Sequence, residues 1–248
     1  MNLKKLASSL VKIGTNNKSS RITWVEKTLK KMEPGGEILD AGAGEQQFKK
    51  FCTHLKYVSQ DFAEYDGSGN TEGLQTIKWD YGDLDIISDI TDIPVEDGSF
   101  DVVMCTEVLE HVADPQRVLE ELTRVLKPNG HLILTAPFCS LTHFAPYHFY
   151  SGFNRYFYEE WLKKYNYEIL EMESNGNFFE YIAQEILRIP NVVKQYNKSK
   201  TSYLQLLLIF LMVKMLEKLS IKDGGSNELL CFGYHVLARK KGLNSTSQ

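Results

Sequence analysis

The chain has 248 residues, 43% of them apolar and 24% charged, with a formal net charge of −4. That balance fits one well-buried globular domain with an elaboration and excludes a fibre or a largely disordered chain. The charge is uneven: residues 1–31 hold eight Lys or Arg against Glu26 alone, whereas 61–121 hold seventeen carboxylates against Lys78 and Arg117, a body that disfavours a nucleic-acid partner and tolerates a cationic ligand.

Residues 1–20 form a basic segment. Its start, Met1–Ile13, has interrupted apolar positions and no clear small-residue cleavage site, so a signal peptide is not expected. A short amphipathic helix over a cleft or against a partner fits better, with membrane-surface contact as a second option. A helix is expected over 21–32, stopped by Pro34-Gly35-Gly36, followed by a strand at Glu37–Asp40 and a helix at Gln46–Leu55. Strands are expected at Tyr57–Gln60, Leu84–Ser88 and Asp101–Thr106. Residues 114–127 read as a helix with Leu119, Leu122, Val125 and Leu126 at helical spacing and Asp114-Pro115 as its cap and first turn. His131–Ala136 is a further strand closed by Pro137. Strands alternating with helices imply a mostly parallel sheet covered on both faces.

The last part departs from that rhythm. Tyr167–Met172 and Leu229–Ala238 read as strands with about fifty residues between them, and that insertion holds two helical stretches, 178–196 and 202–219. Tyr203–Val213 is apolar except for Gln205, too short to span a bilayer, which takes about 20 residues. A helix apolar all round is normally buried, so burial in a helical cap is expected, ahead of a dimer contact or a hydrophobic substrate lid. The expected organisation is a single domain, 1–248, with its core in 21–176 and 228–241 and a helical insertion at 177–227. Residues 244–248 read as a frayed tail. Cys52, Cys105, Cys139 and Cys231 lack C-x-x-C spacing, so neither a zinc site nor a disulfide framework is indicated, and a reducing cytoplasm is the expected location.

The stretch that carries most chemistry is Glu37-Ile38-Leu39-Asp40-Ala41-Gly42-Ala43-Gly44-Glu45. A strand running into an acid and two glycines lets a ligand lie against the backbone. In an open parallel sheet the ligand sits at the carboxyl ends of the strands, where Asp40, Asp61, Asp89, Thr106 and Glu107 all fall. A nicotinamide-binding G-x-G-x-x-G loop is disfavoured, because its third glycine is absent and Glu45 would repel a pyrophosphate.

These residues, with Asp89-Ile90-Thr91-Asp92-Ile93-Pro94 and Phe100–His111, resemble the class I S-adenosylmethionine-dependent methyltransferases of small-molecule type over roughly 36–175 and 228–240. The resemblance implies a Rossmann-like, seven-stranded, mostly parallel sheet with a reversed last strand, helices on both faces and, here, a helical insertion before that strand. It implies S-adenosylmethionine as cofactor, held by Asp40, Gly42 and Gly44 in the first motif. Asp61 is implied at the ribose, with Gln60 as the alternative, Asp89 and Ile90 at the adenine, and Thr106 and Glu107 near the methionine portion. Gln46 stands where the family usually has a third glycine. Glu110 and His111 look like a structural turn that orients the next helix.

Methyl transfer asks the protein to align a nucleophile and exclude water, and needs no metal. The aromatic and imidazole-rich run Ala136–Tyr156 is a candidate acceptor wall, in which His143 or His148 is the candidate catalytic base; a packed loop is the alternative for the same residues. The expected partner is a small-molecule acceptor, with lipid-like or glycan-linked compounds open, no nucleic acid, no transmembrane span, and a homodimer through the insertion left open. A noncatalytic methyltransferase-like binding module and an NAD(P)-dependent oxidoreductase are the alternatives.

Overall fold

A computed structural model describes residues 12–76 and 78–242. The readings for residues 1–11 and for the 244–248 tail lie outside the described residues. The chain divides into two compact units: one of Arg21–Glu173 with the described residues from Gly233 onward, the other of Ser174–Phe232 with those up to Ser20.

The larger unit is built on a seven-stranded sheet in the order β3-β2-β1-β4-β5-β7-β6. The strands are β1 Glu37–Ala41, β2 Lys56–Asp61, β3 Ile86–Ile87, β4 Phe100–Thr106, β5 Leu126–Pro137, β6 Tyr167–Asn175 and β7 Gly233–Lys240. β1 pairs in parallel with β2 (Asp40 opposite Ser59) and with β4 (Asp40 opposite Met104), and β4 in parallel with β5. β7 runs antiparallel to β5, from His131 opposite Arg239 to Pro137 opposite Gly233. The reversed last strand is thus present. Ile38, Leu39, Val103, Met104, Leu132, Ile133 and Leu134 are all fully buried, so successive residues on both faces are covered, as expected where helices flank a parallel sheet.

Helix α1, Asn17–Leu29, buries Trp24, Val25, Thr28 and Leu29; the three apolar ones pack in one cluster with Ile38, Phe48 and Met104. Helix α2, Pro115–Val125, starts where Asp114 Oδ1 accepts from the Arg117 amide at 3.0 Å, and buries Val118, Leu119, Leu122 and Val125. Helix α3, Arg155–Lys164, not expected from the sequence, is capped by Asn154, whose side chain accepts from the Phe157 amide.

In the larger unit two expectations need correction. Gln46–Leu55 is a succession of tight turns with one short 3-10 stretch, Lys49–Phe51, not a helix. Its amides reach back three residues, Gln46 to Ala43, Lys49 to Gln46, Cys52 to Lys49 and Leu55 to Cys52, and an α-helix cannot include Gln46, whose backbone is left-handed, φ 52°. β3 is only two residues long, and a long irregular loop runs from the end of β2 to it.

The smaller unit contains helices α4, Phe178–Tyr196, and α5, Tyr203–Ser220. Both begin with a capping box: Asn177 with Glu180, and Ser202 with Gln205, each pair exchanging side-chain and backbone hydrogen bonds. Ile13, Ala183, Ile186, Val213 and Leu216 form its core. Gly14 lies so close to α4 that a Cβ there would come within 2.5 Å of the Gln184 nitrogen, which reserves the position for glycine. Burial of Tyr203–Val213 is contradicted: Leu204 is 66% and Leu208 52% exposed, and Leu207, Leu211 and Met215 are exposed with them. One stripe carrying Val213 and Leu216 suffices to pack the helix within this unit, and the rest faces outward. Among the described residues no helix is long and apolar enough to cross a membrane.

Candidate active site

The strand order turns around between β1 and β4, and the residues at their carboxyl ends converge there. Asp40 is 1% exposed on β1. Its Oδ2 accepts from the Tyr57 hydroxyl at 2.6 Å, while Oδ1 is buried without a hydrogen-bond partner. Burial pushes the Asp40 carboxyl up to about 7, the Tyr57 bond opposes that, and Asp61 adds to it. The turn that follows is built from backbone: the Gly42 and Ala43 amides both donate to the Gln60 carbonyl at 2.9 Å. Gly42 and Gly44 have φ of 74° and 51°. Added Cβ atoms would meet Val108 at 2.4 Å and Trp79 at 2.8 Å, so conformation and space both require glycine.

Asp61, 6% exposed, ends β2. Its Oδ2 accepts from the Gly44 amide at 2.8 Å and its Oδ1 from Ala63 at 3.3 Å; burial raises its carboxyl and these bonds lower it. Gln60 faces the same turn, accepting from the Gly42 amide and donating to the Ser88 carbonyl at 2.7 Å. Gln46, at the third glycine position, adopts the left-handed conformation that a glycine would have. It is held there by Nε2, which donates to the Tyr81 and Asp83 carbonyls at 2.8 Å each. Glu45 is exposed.

The other sequence-derived residues separate into two groups. Ile90 is buried and Asp89 is exposed, its Oδ1 accepting from the amide and hydroxyl of Thr91 at 2.8 Å. Thr106 ends β4 and is buried. Glu107 turns inward with φ 55° and is tied down twice, by Arg21 Nη1 at 2.6 Å and by the Thr135 hydroxyl at 2.9 Å. Its carboxylate thereby fixes α1 and β5 to the end of β4.

His143 and His148 lie on the loop after β5. His143 Nδ1 meets the Leu141 carbonyl at 2.8 Å and His148 Nε2 the Ser140 hydroxyl at 3.1 Å. Ser140 donates its own proton to the Ser151 carbonyl at 2.9 Å, so His148 Nε2 is the donor of that pair and Nδ1 its basic nitrogen. Burial and the neighbouring His143 hold His148 below the usual imidazole range. The two rings lie 4.8 Å apart, and His111 joins them, 4.7 Å from His143. Arg155 pairs with Glu159 at 3.5 Å.

Sequence reasoning missed the partner of this loop. Residues 62–76 and 78–85 carry Tyr65, Trp79 and Tyr81, and they pack onto 138–153. Leu74 and His143 form a parallel bridge, the Leu74 amide donates to Thr142, and the Phe144 amide donates to Leu74. Tyr65 stacks on Phe144 at 4.3 Å, and Trp79 meets Phe144 edge-on at 5.0 Å. The density of Tyr, Trp and Gly between Phe62 and Asp85 was the available signal. A shallow groove lined by Asp97, Gly98, Arg124, Pro128 and Lys240 lies at the opposite ends of the strands and belongs to no part of this arrangement.

Residues 39–134 match the family described as methyltransferase domain. The chain is 34% identical over 116 residues to a demethylmenaquinone methyltransferase of Clavibacter sepedonicus, covering 45% of this chain and 46% of that one. It is 33% identical over 106 residues to a ubiquinone biosynthesis O-methyltransferase of Xanthomonas oryzae pv. oryzae, covering 41% and 43%. The chain thus spans under half the length of either relative. Among solved structures it shares the fold of an S-adenosylmethionine-dependent methyltransferase from Archaeoglobus fulgidus, with TM-score 0.53 and 16% identity over 88% of this chain and 94% of that one.

Proposed function

We propose, for a chain whose residues 39–134 belong to the methyltransferase domain family, that it transfers a methyl group from S-adenosylmethionine to a small-molecule acceptor. The observation that carries this reading is the turn after β1. Two required glycines, a left-handed Gln46 and the buried carboxylates of Asp40 and Asp61 converge at the strand ends, and Asp40 Oδ1 is a buried acceptor without a partner. Such an orphaned acceptor fits a ligand that brings donors and positive charge.

When bound, the cofactor supplies an electrophilic methyl on sulfur. Asp40, Gly42 and Gly44 would hold its amino-acid end, Asp61 its ribose, Asp89 and Ile90 its adenine, and Thr106 would border the methionine portion. Glu107, already paired with Arg21, positions that strand end. Tyr65, Trp79 and Phe144 keep water from the strand ends, which strengthens every charge interaction there. His148 takes a proton on Nδ1 from a hydroxyl acceptor, with Ser140 and Ser151 fixing its tautomer; His143 is the neighbouring alternative.

One relative is a demethylmenaquinone methyltransferase and the other a ubiquinone biosynthesis O-methyltransferase, and this supports a lipid-like acceptor. The exposed row Leu204, Leu207, Leu208, Leu211 and Met215, with exposed lysines at 194, 198, 200, 218 and 222 in the same unit, supports collection of that acceptor at an anionic membrane surface. A homodimer through the same face is the competing reading. The four cysteines are free, which supports a reducing, cytoplasmic setting. Transfer of tritium from methyl-labelled S-adenosylmethionine to a phenolic quinone precursor tests the catalytic reading; binding without transfer to any phenol, amine or carbon acceptor tried would favour a noncatalytic module.

A further inference from the structure

Glu110 sits in the short turn Leu109–His111 after β4 and is fully buried. Neither of its carboxylate oxygens has a hydrogen-bond partner. A buried carboxyl in that state either keeps its proton or takes a ligand that the protein itself does not provide. The groups beside it are imidazoles. His111 Nε2 is 3.7 Å from Glu110 Oε1, and Glu110, His111 and His143 each present one ligand atom within 4.8 Å of the other two.

The tautomers are fixed. His111 Nδ1 lies 2.5 Å from the Tyr147 carbonyl and His143 Nδ1 2.8 Å from the Leu141 carbonyl. A carbonyl only accepts, so each Nδ1 carries the proton and each Nε2 is the basic nitrogen. An imidazole whose second N–H is anchored on a backbone carbonyl is the usual support of a metal-ligating histidine. The loop that carries His143 is itself anchored to the turn, since the Phe149 and Tyr150 amides both donate to the Glu110 carbonyl, at 2.9 and 3.2 Å.

We infer that Glu110, His111 and His143 form a binding site for one divalent first-row transition-metal ion. Two nitrogens and one carboxylate oxygen suit zinc, cobalt, manganese or iron(II) and are a poor set for magnesium or calcium, which favour oxygen donors. Donors about 2.1 Å from a common tetrahedral ion lie roughly 3.4 Å apart, so the widest of these separations has to close by up to about 1.4 Å when the ion binds, a movement that falls to side-chain rotation of His143 on its loop. His148 stays outside this set, with Nδ1 left for the proton. The inference concerns ion binding alone and stands whether or not the chain transfers methyl groups.

The test is titration of the chelator-treated 248-residue chain with cobalt(II), followed by its visible d–d absorption, and with zinc(II) by calorimetry. The site predicts one equivalent bound, with Glu110→Gln and His143→Asn each weakening the affinity at least tenfold. Circular dichroism establishes whether Glu110→Gln folds; His143 is on a partly exposed loop, so His143→Asn decides the matter if it does not. Binding below a tenth of an equivalent at millimolar metal, or unchanged affinity in either folded variant, overturns the site.

Discussion

The carboxylate of Asp61 accepts a hydrogen bond from the Gly44 amide at 2.8 Å, so the end of β2 holds the turn that follows β1. One residue thereby both shapes the glycine loop and offers charge to a ligand. Asp61→Ala removes both contributions and is expected to weaken S-adenosylhomocysteine binding at least tenfold, about 1.4 kcal/mol. Asp61→Asn keeps an acceptor for Gly44 and loses the charge, so its loss is smaller. Calorimetry on the two variants separates these effects; unchanged affinity in Asp61→Ala would remove Asp61 from the site.

Gln46 has a backbone conformation suited to glycine, offset by its two bonds to the Tyr81 and Asp83 carbonyls. Gln46→Ala keeps the unfavourable φ and loses the bonds, costing about 1–2 kcal/mol of stability. Gln46→Gly also loses the bonds but relieves the conformation, so it is expected to be more stable than the alanine variant by about 1 kcal/mol. Urea denaturation ranks them, and the reverse order would show that the left-handed backbone at position 46 carries no strain that glycine relieves.

His235, buried and stacked on Trp24 at 5.1 Å, is pushed down to about 4 by burial and, secondarily, by Arg21. The folded state therefore binds fewer protons than the unfolded one between about pH 4 and 6.5. The stability it contributes is complete above pH 6.5 and is lost as pH falls toward 4, by roughly 2 kcal/mol at pH 5. Asp40, raised to about 7, acts in the opposite sense, because its folded form keeps a proton that the unfolded form releases and so loses stability as pH rises toward 7. His235→Phe retains an aromatic ring against Trp24 and removes the first effect. Its Tm is expected to fall less than that of the parent between pH 7 and pH 5; parallel pH profiles would contradict the assignment.

If the outward row of α5 meets a membrane, Leu208→Asp with Leu211→Asp leaves the fold intact, since both side chains are exposed, and abolishes co-sedimentation with anionic vesicles. Vesicle binding equal to that of the parent would discard the membrane reading, and a concentration-dependent dimer lost in the same variant would favour the homodimer.

The parallel sheet, the reversed β7, the cap at Asp114 and both insertion helices were legible because each depends on local spacing that the sequence displays. Gln46–Leu55 was misread because its apolar positions suit a helix, while the left-handed Gln46 is stabilised by carbonyls of Tyr81 and Asp83 more than thirty residues away. The exposure of α5 was misread for a related reason: composition shows that a helix is apolar and does not show how much of it finds a partner. The acids at the strand ends could be located from the resemblance, but the ties of Glu107 to Arg21 and Thr135, and the approach of His143 to Glu110, arise from loops that meet only in the folded chain.

The central claim is most directly tested by calorimetric titration of the purified chain with S-adenosylmethionine, S-adenosylhomocysteine and NADH side by side. The account predicts saturable binding of both adenosyl compounds at one site and none of NADH. Binding of NADH alone, or of none of the three by protein shown to be folded and free of copurified ligand, would contradict it.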